Sequence, residues 1–271
     1  LWQNGYKFQF QGNWLTTHGD KILVGRAVTA TMVPMRPDLH DYLLEYGQKE
    51  EDRIGFFNSW VIETLQRDDV MVIDIFGKIY EGTFCGGNLS STVATRTGRG
   101  QVIDGGIRDL QQIMGIANLQ TFYKGCDPTP IRDVTLVGIN TPCRIGDAIC
   151  MPGDVVLGTP SGVLFIPPHL VEECVINAEK TQLREIFGFQ RIREGVYISA
   201  QMDTKWTDAI EADFADWRKT NTPKALQHLI LDEPEPEPDQ ANSDDTDLTS
   251  STSEECENSE ESEQDDQLTL L

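Results

Sequence analysis

Two short segments carry residue types that can do chemistry. Gly86-Gly87-Asn88-Leu89 sets two glycines ahead of a helical pattern. Glycines let the backbone approach a ligand closely, and the free N–H groups of a first helical turn bind an anion such as a carboxylate or phosphate. The second segment, Val102 to Asp109, reads as a strand ending at Asp104-Gly105-Gly106, with Arg108-Asp109 opening the next helix. Arg offers a planar fork for a carboxylate, and Asp is a hard oxygen ligand suited to Mg²⁺ or Mn²⁺. Ligands of open α/β sheets gather at the carboxyl ends of strands, where the second segment falls. Each also has a plain structural reading: a tight strand-to-helix turn for the glycines, a helix cap for Asp109 and a surface ion pair for Arg108. A methyl-donor or nucleotide loop is discounted because the Gly-x-Gly-x-x-Gly spacing is missing.

The elements that must position these residues alternate between strand and helix patterns. Ile22–Val33 is rich in β-branched and apolar residues and reads as a strand. Asp38–Arg53 is polar with scattered aromatics, an excursion or an exposed helix. Phe57, Val61, Ile62 and Leu65 recur at helical spacing. Val70–Phe76 suits a buried strand carrying Asp74. Leu89–Thr97 reads as a helix, Gln101–Ile103 as a strand, Ile107–Ile116 as a helix and Leu119–Lys124 as a strand. Such alternation argues for a sheet with helices packed on it. After Pro130 the texture changes to short strand candidates cut by Gly and Pro, between Val134 and Ile166. These predict a β meander or a second small sheet. His169–Phe187 reads as a helix after two prolines, and residues 188–231, with Trp206, Phe214 and Trp217, as a helical extension.

Of the formal net charge of −22, sixteen negative charges lie in residues 232–271, which hold no Lys or Arg. The remaining chain, at −6, offers no basic stripe for a phosphate backbone, so nucleic acid is not an expected partner. The acidic stretch is rich in Glu, Asp, Ser, Thr and Pro and is expected to be disordered. No apolar run approaches the roughly 20 residues that span a bilayer, so no membrane role is expected. The six cysteines form no Cys-x-x-Cys pair, and reduced thiols in a cytosol are the expectation over a disulfide framework. Because the sequence begins at Leu1 rather than Met, a preceding segment or leader stays open. The histidines His18, His40, His169 and His228 are scattered, and none falls beside the two segments in sequence.

Taken together, the segments resemble a family. From Gly25–Ala30 through Val72-Ile73-Asp74, Gly86–Leu89 and Val102–Asp109 to Pro152–Val156 and Ser161-Gly162-Val163, the chain looks like the RraA-like family. That family includes class II aldolases acting on 4-hydroxy-4-methyl-2-oxoglutarate and 4-carboxy-4-hydroxy-2-oxoadipate. Its aldolase signature is a Gly-x-x-Leu turn, a helix, then Arg-Asp; here eighteen residues, 90–107, separate Leu89 from Arg108. The resemblance implies an α/β fold, a swivelling β/β/α domain over residues 1–187, followed by the helical extension (188–231) and the acidic tail (232–271).

The resemblance also implies roles. Backbone N–H groups of the turn Gly86-Gly87-Asn88-Leu89 would hold the carboxylate of a pyruvyl unit. Arg108 would bind the same unit and balance enolate charge, and Asp109 would be the one direct protein ligand of Mg²⁺ or Mn²⁺. The implied activity is retro-aldol cleavage of a 4-hydroxy-2-oxo acid to pyruvate, with oxaloacetate decarboxylation as a side activity. The implied assembly is a homotrimer or homohexamer. One departure concerns the acid that aldolase members commonly carry after the first glycine of the turn: this chain has Gly87 there, and Asp74, Glu81 and Asp104 are the acids that could stand in. Other members regulate ribonuclease E and tend to lack the Asp of Arg-Asp. A non-catalytic regulatory or interaction protein is therefore the alternative, and Asp109 argues against it.

Overall fold

The computed structural model describes residues 1–231. The expected disordered tail, 232–271, lies outside the described residues. The chain opens with β1 (Phe10–Gln11), β2 (Leu15–Thr16) and the long β3 (Leu23–Pro34). Next come α1 (Pro37–Lys49), α2 (Phe57–Glu63), β4 (Asp69–Asp74) and β5 (Thr83–Cys85). The site region holds α3 (Gly87–Thr97), β6 (Gly100–Ile107), α4 (Leu110–Met114) and β7 (Gln120–Cys126). Five short strands follow: β8 (Val134–Ile139), β9 (Cys143–Ile145), β10 (Ala148–Cys150), β11 (Val155–Thr159) and β12 (Gly162–Ile166). The helices α5 (Val171–Arg193), α6 (Ser199–Met202) and α7 (Asp208–Asn221) complete this unit, which extends to Gln227. A separate unit begins at His228, and its described residues form one helical turn.

A ten-stranded mixed sheet runs β1-β12-β11-β3-β4-β6-β7-β2, with β5 beside β6 and β8 beside β3. Its centre, β3-β4-β6-β7, is parallel. Central parallel strands are covered on both faces, which is why Val70–Ile73 and Val102–Ile103 are apolar without alternation. Met71, Ile73 and Ile103 face one core, shared with α2 and α3; Val70, Val72 and Val102 face a second core, closed by β9, β10 and β12. The twelve residues of β3 serve two neighbours in turn: β11 pairs along Leu23–Arg26 and β8 along Ala30–Pro34.

Three expectations are corrected. The strand read over Gln101–Ile103 does not stop at Asp104-Gly105-Gly106; β6 runs on to Ile107. Its glycines answer close approach rather than a turn, since a Cβ on Gly105 would sit 2.8 Å from the Lys78 carbonyl oxygen and collide with Ile75. The helix read over Ile107–Ile116 shortens to α4, which leaves Arg108-Asp109 on the link between β6 and α4. Lastly, the strands after Pro130 do not form a sheet of their own. β8, β11 and β12 join the large sheet, and only β9 and β10 pair separately. Local periodicity marks a strand but carries no information about its pairing partner.

The C-terminal extension is helical. Fully buried Phe187 packs against Tyr197, Trp206, Phe214 and Trp217, with ring centroids 5.3–6.4 Å away. The boundary expected at 187/188 falls inside α5, a continuous helix of 23 residues. No helix of the described residues is long and apolar enough to cross a membrane. The described cysteines are all free thiols.

Candidate active site

The two segments singled out in the sequence meet in space. β5 and β6 run parallel, and the Arg108 N–H donates to the Cys85 carbonyl at 3.0 Å, tying the end of β6 to the entrance of α3. Asp109 then adopts the left-handed conformation, φ 57° and ψ 41°, which Asp tolerates better than most residues. This turn swings the Asp109 side chain back onto α3, where Oδ2 accepts a hydrogen bond from the Gly87 N–H at 3.0 Å. A helix N-terminus attracts negative charge, so the placement is favourable. The Arg108 Nε lies 3.7 Å from the same oxygen.

Both glycines of the turn are buried and crowded by side chains. A Cβ on Gly86 would lie 2.5 Å from Asp109 Oδ2 and 2.8 Å from Arg108 Nε. A Cβ on Gly87 would instead collide with the end of the Gln112 side chain, which reaches over the turn from α4. Asn88 is exposed, and Leu89 is half-buried against the first core. Hence Gly86, Gly87, Asn88, Leu89, Arg108 and Asp109 are brought together. The Gly87 N–H, which the resemblance implied for a substrate carboxylate, faces the chain's own Asp109.

Arg108 also lines a cleft of about 450 Å³ on the first-core side of the sheet, together with Met32, His40, Phe57, Asn58, Ile131 and Arg132. His40, remote from the two segments in sequence, thus shares a cleft with Arg108. Its Nδ1 is 3.2 Å from Thr135 Oγ1, and its ring stands edge-on to Phe57 at 5.2 Å. These side chains come from β3, α1, α2 and the link into β8, too far apart in sequence for spacing to connect them. One signal was visible. The triplet Ile107-Arg108-Asp109 recurs as Ile131-Arg132-Asp133, each Asp has positive φ (57° and 53°), and each Arg lines the cleft.

Other polar groups belong elsewhere. Asp74 and Asp104 are register partners on β4 and β6, on the second-core face. Asp74 accepts the Phe76 N–H at 2.9 Å, and Asp104 accepts the Gly146 N–H at 3.1 Å, so both anchor backbone rather than serve the cleft. Burial raises the Asp74 carboxyl above its ordinary value, more than the backbone donors lower it. Lys124 stacks over Trp14 at 3.8 Å on that same face, and burial lowers its ammonium. Tyr123 faces the first core, where burial pushes its phenol up to about 12. Cys85 is fully buried, and burial raises its thiol despite the nearby Arg108 charge, so it is not a nucleophile. Glu81 lies 3.8 Å from Arg132 Nη1.

A family model described as RraA-like, Aldolase/RraA, matches residues 4–165. The chain belongs to the RraA-like family. An uncharacterized protein of Methanocaldococcus jannaschii is 28% identical over 196 residues, 65% of this chain and 91% of that protein. A protein of Halalkalibacterium halodurans named "Putative 4-hydroxy-4-methyl-2-oxoglutarate aldolase" is 31% identical over 117 residues, 42% of this chain and 53% of its own length. Among solved structures, Streptomyces coelicolor RraAS2, described as an unusual member of the RNase ES inhibitor RraA protein family, superposes with a TM-score of 0.60 at 22% identity. That match covers 70% of this chain and 89% of RraAS2. An uncharacterized Pseudomonas syringae protein gives 0.59 at 21% identity, covering 74% and 83%. At these identities the likeness is one of fold, and it is the RraA-like α/β fold implied by the motifs.

Proposed function

We propose that the chain is a divalent-metal-dependent carbon–carbon lyase, a class II pyruvate aldolase that cleaves a 4-hydroxy-2-oxo acid to pyruvate and a carbonyl compound. The observation that carries this reading is the convergence of Arg108, Asp109 and the N-terminus of α3, with Arg108 also lining a cleft. A family model whose description includes aldolases and a relative with an aldolase name support it.

In this reading Arg108 holds the carboxylate of the pyruvyl unit and offsets the charge that grows on the enolate oxygen as the C3–C4 bond breaks. With the Gly87 N–H engaged by Asp109, the N–H groups of Asn88 and Leu89, unpaired by position in a first helical turn, complete the carboxylate cradle. Among the described residues no three His, Cys, Asp or Glu side chains cluster as a metal cage. The half-exposed Asp109 carboxylate, with one oxygen fixed by a backbone donor, suits Mg²⁺ or Mn²⁺, which use few carboxylates and keep several waters. When bound, such an ion supplies Lewis-acid stabilisation of the enolate. Oxaloacetate decarboxylation passes through the same enolate and is the expected side activity. The reading extends to a cytoplasmic homotrimer or homohexamer acting on small 2-oxo acids, an assembly that sedimentation checks.

The test is pyruvate release from a panel of 4-hydroxy-2-oxo acids with and without Mg²⁺ or Mn²⁺. Metal-dependent release supports the proposal; no release from any acid, with no metal bound, rejects it. A second reading, a non-catalytic regulatory module, draws on Gly87, where aldolase members commonly carry an acid and where the Gln112 side chain lies instead. It fails if Asp109→Asn abolishes a measurable turnover in a protein that stays folded.

A further inference from the structure

The cleft that starts at Arg108 differs in character from Arg108 itself. Its walls are apolar: Met32, Phe57 and Val134 are buried members of the first core, Ile131 packs on that core, and Met35 and Phe56 stand exposed at 39% and 66%. Exposed large apolar side chains beside a concave apolar wall mark a binding surface.

The polar side chains of the cleft, Arg108 aside, are mostly satisfied or unsuited to an anion. His40 is paired with Thr135 at 3.2 Å. Asn58 donates to the Phe84 carbonyl at 3.2 Å and accepts from the Ser59 N–H at 3.0 Å. Arg132, its side chain 63% exposed to water, faces Glu81 at 3.8 Å. Placing a second substrate carboxylate against the apolar walls would strip its hydration.

From this we infer the substrate class: a 4-hydroxy-2-oxo acid whose C4 substituent is uncharged and apolar, an alkyl or aryl group, with an apolar aldehyde or ketone as the second product. The inference rests on the lyase reading above. The 2-oxo acid end sits on Arg108, and the C4 substituent lies along Met32, Phe56, Phe57 and Ile131. In the cleavage the C3–C4 bonding electrons pass to the pyruvate enolate, the C4 hydroxyl loses its proton as the carbonyl forms, and C3 takes up a proton to give pyruvate.

The test uses the full chain with Mg²⁺ or Mn²⁺ and compares 4-hydroxy-2-oxo acids carrying phenyl, butyl or carboxylate at C4, followed as pyruvate release. The phenyl and butyl acids are expected to exceed the carboxylate in kcat/KM by about tenfold or more, the scale on which apolar pockets discriminate. Phe56→Ser, at an exposed position that does not endanger folding, is expected to shrink that ratio several-fold, chiefly through KM. Equal or better turnover of the C4 carboxylate, or a ratio unmoved by Phe56→Ser, overturns the inference and leaves the lyase reading standing. No release from any of the acids, with no exchange of the pyruvate methyl protons, overturns both.

Discussion

The carboxylate of Asp109 is held by the backbone N–H of Gly87, 3.0 Å from Oδ2, across the seam between β6 and α3. This bond joins the metal half and the carboxylate half of the proposed site. It also separates the charge of Asp109 from its structural role. An Asn at 109 keeps an acceptor for Gly87 and tolerates the left-handed backbone, while the negative charge is lost. Asp109→Asn is therefore expected to melt within a few degrees of the parent. Pyruvate formation should fall by more than the ~10–100-fold that loss of an outer-shell partner costs a metal site. Thermal melts and the release assay check the two halves of this statement.

The neighbouring glycines should behave differently. Gly86→Ala puts a methyl against both Arg108 and Asp109, at 2.8 and 2.5 Å, and must displace the groups proposed to do the chemistry. Gly87→Ala meets only the exposed Gln112 side chain, most closely its flexible end, and touches neither Arg108 nor Asp109. A drop in kcat/KM of at least about tenfold is expected for the first, on the scale of a misplaced reacting group. The second should stay within about twofold. Steady-state kinetics on the two variants side by side decides it.

Phe187 is the hub of the aromatic cluster in the C-terminal helices. Phe187→Ala should cost about 3–5 kcal/mol, the range for a large aromatic removed from a packed core. Denaturant unfolding followed by tryptophan fluorescence reads this directly, because Trp206 and Trp217 both touch the ring.

Asp74 predicts a pH effect on stability. Burial, with a smaller contribution from Asp104, raises its carboxyl above the ordinary value of 3.8 in the folded state. Above the folded value it is charged in both states, and the folded state bears the penalty of the buried charge. As pH falls through the folded value toward 3.8, the folded state takes up the proton first, and that penalty is relieved. Asp74→Asn should therefore raise Tm at neutral pH, with the advantage shrinking as the pH is lowered toward 4. Melting curves of both proteins across that window test the sign.

The sequence made β3, β4, α2 and α3 legible because their apolar residues recur at strand or helix spacing. The joining of Gly86–Leu89 with Arg108-Asp109 came from the family resemblance alone; the cause is β5, unmarked in the sequence, which runs parallel to β6 and brings both segments to one end of the sheet. Gly105-Gly106 misled, since glycine required by a crowding backbone looks in sequence like glycine required by a turn. The cleft was not legible: Met32, His40, Phe57 and Ile131 come from separate elements, and only packing assembles them. The repeated Ile-Arg-Asp triplet was its one trace in the sequence, since each arginine lines the cleft and each following Asp has positive φ.

Stabilisation of the pyruvate enolate by Arg108 and Asp109 can be tested without knowing the natural substrate. Pyruvate is incubated with the protein in D₂O, with Mg²⁺ or Mn²⁺ and separately with EDTA, and its methyl protons are followed by NMR. Metal-dependent exchange of those protons for deuterium is expected, lost in Asp109→Asn and sharply reduced in Arg108→Met. Exchange at the uncatalysed rate with metal present, or exchange that persists unchanged in Asp109→Asn, would contradict it.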